Sequence, residues 1–556
     1  MKKNDIIEVT INDLEFPNIG TTNFENEKIK IKNTLPGQKV RAKVVRSRKD
    51  CADARLIEVL ENAYYEKEPV CEHFNLCGGC TYQTVPYKKQ LEIKEIQVKN
   101  ILDEILTENY EFLPIVPSPK KTEYRNKMEF SFGDEIKDGP LVLGMHKRNS
   151  FHSIVNTHGC QIVDEDFRQI LCHILDYFLG NSQTYYHKTT NIGFLRYLLV
   201  RKAEKTGEIL INLITTSQST LNEKEFVDLI LNMDLQGNVK CIAHSIFDGV
   251  ADAAKADAKK VLYGEDKITE ELLGLKFNIS SFSFFQTNSL GAEKLYSIVR
   301  DFIGNTKDKV IFDLYSGTGT IGQILAPAAK KVIGIEIIEE AVKKANENAK
   351  LNNLTNCIFI AGDVLKKIDE LNDKPDIIVL DPPREGIHPK AIQKIIDYKP
   401  ETFIYISCKP TSLKNDLPVF LDNGYKVSKV QCVDMFPQTP HVETVVSLSH
   451  KKADTHININ VEFGDDKGQI PIDEIARKAE EYRVGQKITY KMIMEYIENK
   501  YGFKVHSAYI AEVKRDLGLP MYDAPNAVEE LKQSRKHPTP EKVDAIKDAL
   551  KHFQVI

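Results

Sequence analysis

Residues 310–325, VIFDLYSGTGTIGQIL, decide how this chain folds. Val310 to Leu314 form an apolar run, a Gly-rich turn follows, and an apolar segment of helical character comes after it. Strand, Gly-rich turn and helix in that order open a parallel α/β sheet. Gly317 and Gly319 let the backbone approach a ligand where a Cβ would stand in the way. Such a turn is a weak signal alone, because a tight strand-to-helix connection asks for the same residues.

The segments that follow carry the reading further. Between residues 276 and 450 strands and helices alternate regularly, and successive strands end in polar residues. KVIGIE (331–336) ends at Glu336, CIFIAGD (357–363) at Asp363, and DIIVLDPPR (376–384) carries Asp381. Open α/β sheets bind ligands outside these strand ends. Glu336 lies roughly twenty residues past the turn, where an acid bonds the ribose hydroxyls of a nucleoside. No Walker A lysine follows the turn, and S-adenosylmethionine is expected in this pocket rather than NAD or ATP.

The fifth strand of the series, TFIYISCKP (402–410), ends in Cys408. A lone cysteine is ordinarily a small core residue. At a strand end, before Lys409 and Pro410, it reads instead as a reactive thiol, with Lys409 the expected cation that favours the thiolate. Farther on, VDMFPQTPHVETVVSL (433–448) places Glu443 between His441 and an apolar strand. As a solvated charge Glu443 is unremarkable; beside a thiol and a methyl donor it reads as a general base.

That set of groups suits methylation of uracil at C5. C5 is a poor nucleophile until a thiolate adds to C6, and the methylated adduct must then lose its C5 proton to a base. Other acceptors fit worse. An amino-methylating enzyme with a D-P-P motif wants an aromatic residue next, where this chain has Arg384. A cytosine-C5 RNA enzyme carries a second cysteine near that motif, and none is there.

The motifs CEHFNLCGGCTYQ (71–83), FFQTN (284–288), DLYSGTGTIG (313–322), IGIE (333–336), DPPREG (381–386), SCKP (407–410) and DMFPQTPHVE (434–443) occur in that order. Over residues 1–450 they resemble the S-adenosylmethionine-dependent RNA uracil-5-methyltransferases. The resemblance implies Cys408 as nucleophile and Glu443 as base, with Gln286, Tyr315, Glu336, Asp363 and Asp381 holding the cofactor. Gln286 rests on the resemblance alone. Lys409 and Asn415 stand where the family commonly has Asn and Arg; neither replaces a catalytic group.

CEHFNLCGGC (71–80) puts Cys71, Cys77 and Cys80 within ten positions, and the expected fourth ligand is Cys160 in THGCQIVDE (157–165). Four thiolates can hold zinc or an iron–sulfur cluster. Zinc sites favour two short C-x-x-C pairs, and only one is present. The branch of the family with this cysteine set carries a [4Fe-4S] cluster and an amino-terminal barrel resembling a TRAM domain. That branch implies 23S ribosomal RNA as substrate, with tRNA the alternative in the same class. A catalytically silent, metal-stabilised RNA-binding protein is the alternative from another class. Cys51, Cys172, Cys241, Cys357 and Cys432 read as packing residues.

A chain of 556 residues is too long for one core, so an α/β multidomain architecture is expected. Its parts are a small RNA-binding β-barrel (1–60), a strand-rich central domain with the cysteine site (61–275), a Rossmann-like methyltransferase domain (276–450) and a mostly helical accessory domain (451–556). With 28% charged residues, no membrane-length apolar run and no secretory signal, a cytoplasmic monomer without membrane contact is expected. The net charge of −5 carries no nucleic-acid footprint, but residues 28–49 hold nine Lys or Arg and no acid. Alternation of Lys28, Lys30 and Lys32 puts these charges on one strand face, which suits either phosphate contact or a protected sheet edge. Near the carboxy end, helices capped by Thr489 and Ser507 resemble a helix-turn-helix presenting Tyr509, Lys514 and Arg515. A helical hairpin with a solvated face is the plainer reading.

Overall fold

In the computed structural model, which describes residues 1–450, 490–517 and 537–553, Val310–Leu314 is a strand at the centre of an eight-stranded sheet. The turn after it holds Tyr315, Gly317 and Gly319 at φ of 65°, 54° and 70°, and Thr320–Leu325 is helical. Left-handed backbone is easy for glycine and costly for a residue with a Cβ. Tyr315 is therefore held at the sheet edge by its surroundings.

The strands lie in the order Cys357–Ala361, Lys331–Glu336, Val310–Leu314, Ile377–Leu380, Thr402–Ser407, Glu443–His450, Tyr425–Val433 and Glu111–Val116. The first five run parallel. Glu443–His450 runs antiparallel to both of its neighbours. Its first residue therefore lies at the same sheet edge as the last residues of the parallel strands. Apolar side chains alternate between two cores. Ile311 and Val332 pack with Leu295, Val299 and Ile321 on one face, and Phe312 and Ile333 pack with Leu102, Ile392 and Leu417 on the other. Burial on both faces explains why these strands are apolar throughout.

One expected boundary moves. Glu111–Val116, assigned by sequence to the central domain, pairs with Tyr425–Val433 as the last strand of this sheet. The helix preceding it, Tyr87–Asp103, packs Val98 and Leu102 into the same core. Strand pairing at this sequence distance leaves no mark in local composition.

The central sheet has seven strands, in the order Ile154–Asn156, Val142–His146, Lys127–Gly133, Leu195–Lys202, Glu208–Thr215, Asn238–Ile246 and Ala258–Gly264. The helices Glu165–Gly180 and Glu223–Leu231 cover one face through Phe167, Ile170, Phe178 and Phe226. Leu199, Leu210 and Ala243 join the core of the eight-stranded sheet, so the two layers share apolar packing.

Residues 6–61 form a six-stranded sheet around Ile7, Val9, Ile29, Ile31, Val40, Ala42 and Val44. Its basic strands are partly neutralised. Lys28 and Lys30 both meet Glu15, at 2.8 and 2.6 Å, Lys39 meets Glu61 at 3.1 Å, and Arg41 meets Glu8 at 2.7 Å and also Glu58. These acids come from outside residues 28–49, as does Asp53, 3.7 Å from Arg48, so five of the nine cations in the run that looks purely basic in sequence are paired in space. Lys32, Arg46 and Lys49 stay exposed.

The chain divides into two compact units between residues 451 and 452. In the second, helices Tyr490–Tyr501, Ser507–Asp516 and Pro540–His552 share a core of Ile493, Ile497, Ile510, Val513, Ile546 and Leu550. A third helix thus packs on the expected pair. The cap of Ser507–Asp516 is His506, whose Nδ1 accepts from the Ala508 N–H at 3.3 Å. Ser507, expected as the cap, is the first helical residue, and Thr489 lies outside the described residues. Lys514 sits over the Tyr490 ring and Lys542 over the Tyr509 ring, while Arg515 is exposed. Among the described residues no helix is long and apolar enough to cross a membrane.

Candidate active site

A cavity of about 1130 Å³ opens along the carboxy-terminal edge of the eight-stranded sheet. It is larger than most small-molecule pockets and runs from the Gly-rich turn, past Cys408 and Glu443, to the cysteine cluster. Cys408, Glu443, Gln286, Tyr315, Glu336 and Asp381 all line it, as do Cys71, Cys77, Cys80 and Cys160. Asp363 is placed differently. Its carboxylate caps the short helix Val364–Lys367, accepting from the Leu365 N–H at 3.0 Å, and it is not part of the cavity wall.

At the turn, the Glu336 carboxylate accepts from the Gly317 N–H and the Ile338 N–H, each at 3.0 Å. Beneath it the buried Asp313 accepts from the Gly322 N–H at 2.8 Å, and burial pushes its carboxyl up to about 7. Gly317, Gly319 and Gly322 have the G-x-G-x-x-G spacing shared with dinucleotide-binding turns. The glycines therefore leave NAD open, and the choice of nucleotide rests on the groups around them. Gln286, in the segment before the helix Ser289–Ile303, bonds through its side chain to the buried Tyr296. Its backbone oxygen accepts from the Asn126 amide at 3.0 Å.

Cys408 follows the strand Thr402–Ser407 and stands between Asp381, at the end of the adjacent parallel strand, and Glu443, at the start of the adjacent antiparallel one. Glu443 is 4% exposed, so this strand start is in the interior. Burial pushes its carboxyl up to about 8, Asp381 adds to the rise, and Arg384 opposes it. Burial pushes Asp381 up to about 7. The Cys408 thiol is raised to about 11 by burial, then by Glu443 and Asp381, while Arg384 pulls it down by charge and by a side-chain hydrogen bond. The expected activator is thus corrected. Lys409 is exposed and outside the cavity wall, and the cation that faces the thiol is Arg384. Arg384 was legible in DPPREG only as a residue that is not aromatic; its role follows from the adjacency of the two strands. His441 also lines the cavity, and burial, with Arg384, Lys94 and Arg125 nearby, lowers its imidazole to about 4. It stands as a neutral donor and acceptor two residues from Glu443.

The four cysteines come from two loops that meet. Cys77, Cys80 and Cys160 sense one another and Cys71 electrostatically. Burial raises Cys80 to about 12 and Cys160 to about 11, so a bound metal centre would have to supply the charge that keeps them as thiolates. Backbone bonds fix the loops: Gly78 donates to His146 O at 3.0 Å, and Arg148 N donates to Leu76 O at 2.7 Å. Nearby, Glu72, His73 and His158 bring one ligand atom each within 4.8 Å of the others. The Nε2 of His73, however, accepts the Gly159 N–H at 3.0 Å, which occupies the lone pair a metal would need.

Comparison with known proteins places this geometry. Residues 86–451 match the family described as tRNA (Uracil-5-)-methyltransferase. An RNA methyltransferase of Clostridium tetani is 52% identical over 451 residues, covering 81% of this chain and 99% of that one. An RNA methyltransferase of Caldanaerobacter subterraneus subsp. tengcongensis is 47% identical over 445 residues, covering 80% and 99%. Among solved structures, the Pyrococcus abyssi tRNA (uracil-54, C5)-methyltransferase in complex with S-adenosyl-L-homocysteine is 26% identical. It superposes with a TM-score of 0.64 over 80% of this chain and 100% of that one. The match over most of the chain, the identity to full-length relatives and the shared sheet together establish that this chain belongs to the tRNA (uracil-5-)-methyltransferase family.

Proposed function

We propose that this enzyme methylates C5 of a uridine in 23S ribosomal RNA through a covalent bond between Cys408 and C6. The observation that carries the reading is the placement of Cys408 and Glu443 at one sheet edge, in a cavity continuous with the Gly-rich turn. S-adenosylmethionine, bound against Gln286, Tyr315, Glu336 and Asp381, supplies a methyl group on a sulfonium. The target base is flipped out of its stack to reach the thiol. Arg384 favours transfer of the Cys408 proton to solvent in the open cavity by bonding the thiolate. The thiolate forms the S–C6 bond and the C5=C6 electrons move onto the C4 carbonyl, which makes C5 nucleophilic. C5 then takes the methyl group, the C5–CH3 bond forming as the sulfonium S–CH3 bond breaks and leaves the thioether S-adenosylhomocysteine, and Glu443 takes the C5 proton. The electron pair left behind re-forms C5=C6, the S–C6 bond breaks, and the thiolate is restored.

An iron–sulfur cluster is supported by four thiols in one cavity wall with only one C-x-x-C pair among them. Cys71, Cys77, Cys80 and Cys160 would hold the cluster in the wall of the RNA-facing cavity, away from the transferred methyl. The exposed Lys32, Arg46 and Lys49 offer the amino-terminal sheet a phosphate contact.

The second reading is a tRNA uridine, favoured by the full coverage of the Pyrococcus tRNA enzyme. Nucleoside mass spectrometry on separated ribosomal and transfer RNA from a deletion strain distinguishes them. Loss of 5-methyluridine from the 23S fraction alone is expected. Loss from tRNA alone selects the second reading, and no loss from either refutes both.

A further inference from the structure

Gln438 lies in the loop that leads into Glu443, with a left-handed φ of 68° that a side chain resists. It is held there from several sides. Its N–H donates to Gln90 Oε1 at 2.9 Å, its backbone oxygen accepts from the Thr81 and Tyr82 N–H groups at 2.8 and 2.9 Å, and its Oε1 accepts from Gln90 Nε2 at 2.9 Å. Gln90 is 1% exposed and donates also to Tyr82 O and Val85 O, so the clamp has a rigid base. The residues before Gln438 are fixed in the same way. Pro437 O accepts from the Tyr124 hydroxyl at 3.0 Å, and Lys94 donates to Phe436 O at 3.1 Å and to Asp434 at 2.6 Å. Immediately beyond the clamp, Thr439, His441 and Glu443 face the cavity. Thr81 directly follows Cys80, so the segment that supplies the cysteine site also supplies one jaw.

We infer that Gln438 and Gln90 are positioning residues whose hydrogen bonds aim the Glu443 carboxylate at the C5 proton. Glu443 begins its strand, so the strand ladder constrains it on one side only, and the clamp constrains it on the other. The inference rests on the reading of Glu443 as the base. Weakening the clamp should slow removal of the C5 proton and leave addition and methyl transfer nearly intact.

The test uses the full-length holoenzyme, S-adenosylmethionine, and target RNA carrying protium or deuterium at uridine C5. Gln438→Gly suits the left-handed backbone and loses the side-chain bond. Gln90→Glu keeps an acceptor for the Gln438 N–H and loses the donor. Both variants are expected to raise the deuterium isotope effect on turnover at least twofold and to accumulate RNA–protein adduct on denaturing gels, with the Michaelis constant for S-adenosylmethionine unchanged. Gln438→Asn, which tolerates the backbone and keeps a side-chain acceptor, should move both readouts back toward wild type. Isotope effect and adduct at wild-type levels in soluble Gln438→Gly or Gln90→Glu, whatever their turnover, would overturn the inference. If the wild-type enzyme makes 5-methyluridine without any adduct, the reading of the site fails instead.

Discussion

Cys408 and Glu443 flank a single cross-strand pair: Ser407 is opposite Thr444 in the antiparallel ladder, Cys408 follows the first and Glu443 precedes the second. In an all-parallel sheet a residue that begins a strand lies at the far edge from one that ends its neighbour. Reversal of this one strand brings the Cys408 thiol and the Glu443 carboxyl to the same edge.

The two groups should fail differently. Cys408→Ala is expected to abolish 5-methyluridine formation while leaving S-adenosylmethionine binding intact, as measured by calorimetry. Glu443→Gln should slow turnover by roughly 10²–10⁴-fold and accumulate a covalent RNA–protein adduct on denaturing gels. Normal turnover by Glu443→Gln removes it as the base.

Much of this was legible in the chain. The strand–turn–helix unit, the polar strand ends and the thiol at the end of TFIYISC all follow from period and residue type. Three features were not. The partner of Cys408 was read as its neighbour Lys409, but side chains of adjacent residues at a strand end point apart, and the cation comes from Arg384 in the turn that follows the adjacent strand Ile377–Leu380. Asp363, expected at a strand end, lies two residues past the strand Cys357–Ala361 and caps a helix. The basic run at 28–49 looked unpaired because Glu8, Glu15, Glu58 and Glu61 lie outside it. Each miss concerns contacts between segments, which period and composition do not encode.

Activity should depend on pH through Arg384. Cys408 and Glu443 must both be deprotonated, and both are raised, to about 11 and about 8. The single-turnover rate should therefore climb across the neutral to alkaline range. Arg384→Met removes the cation that lowers both and should move the climb to higher pH, with Arg384→Lys intermediate. An unmoved profile for Arg384→Met contradicts this.

Stability of the ligand-free protein should fall as pH rises. Asp381 and Glu443 have folded values of about 7 and about 8, above their ordinary range. Groups raised in the folded state favour it below their unfolded values, and that contribution is lost as pH rises through the folded ones. Melting temperatures from about pH 4 to about pH 8 should drop, and Glu443→Gln should drop less. Equal slopes would show that Glu443 does not carry the effect.

Lys94 and Asp434, both fully buried, meet at 2.6 Å. Burial pushes the Lys94 ammonium down and Asp434 holds it up. Lys94→Met leaves a buried carboxylate unpaired and should cost about 3–5 kcal/mol. Lys94→Met with Asp434→Leu should recover most of that loss in chemical denaturation. A double variant as unstable as the sum of the single ones contradicts the pairing.

Anaerobically purified protein is expected to be brown, and replacing Cys71, Cys77, Cys80 or Cys160 by Ser should bleach it. Colourless protein with stoichiometric zinc would identify the centre as zinc.

The covalent route is tested most directly with RNA carrying 5-fluorouridine. Addition and methyl transfer proceed, but C5 then bears fluorine in place of the proton that Glu443 must remove, so the adduct persists. After incubation with S-adenosylmethionine and nuclease digestion, mass spectrometry should find methylated 5-fluorouridine attached to the peptide that contains Cys408. An adduct on another cysteine, or none under conditions where unsubstituted RNA is methylated, would contradict the account.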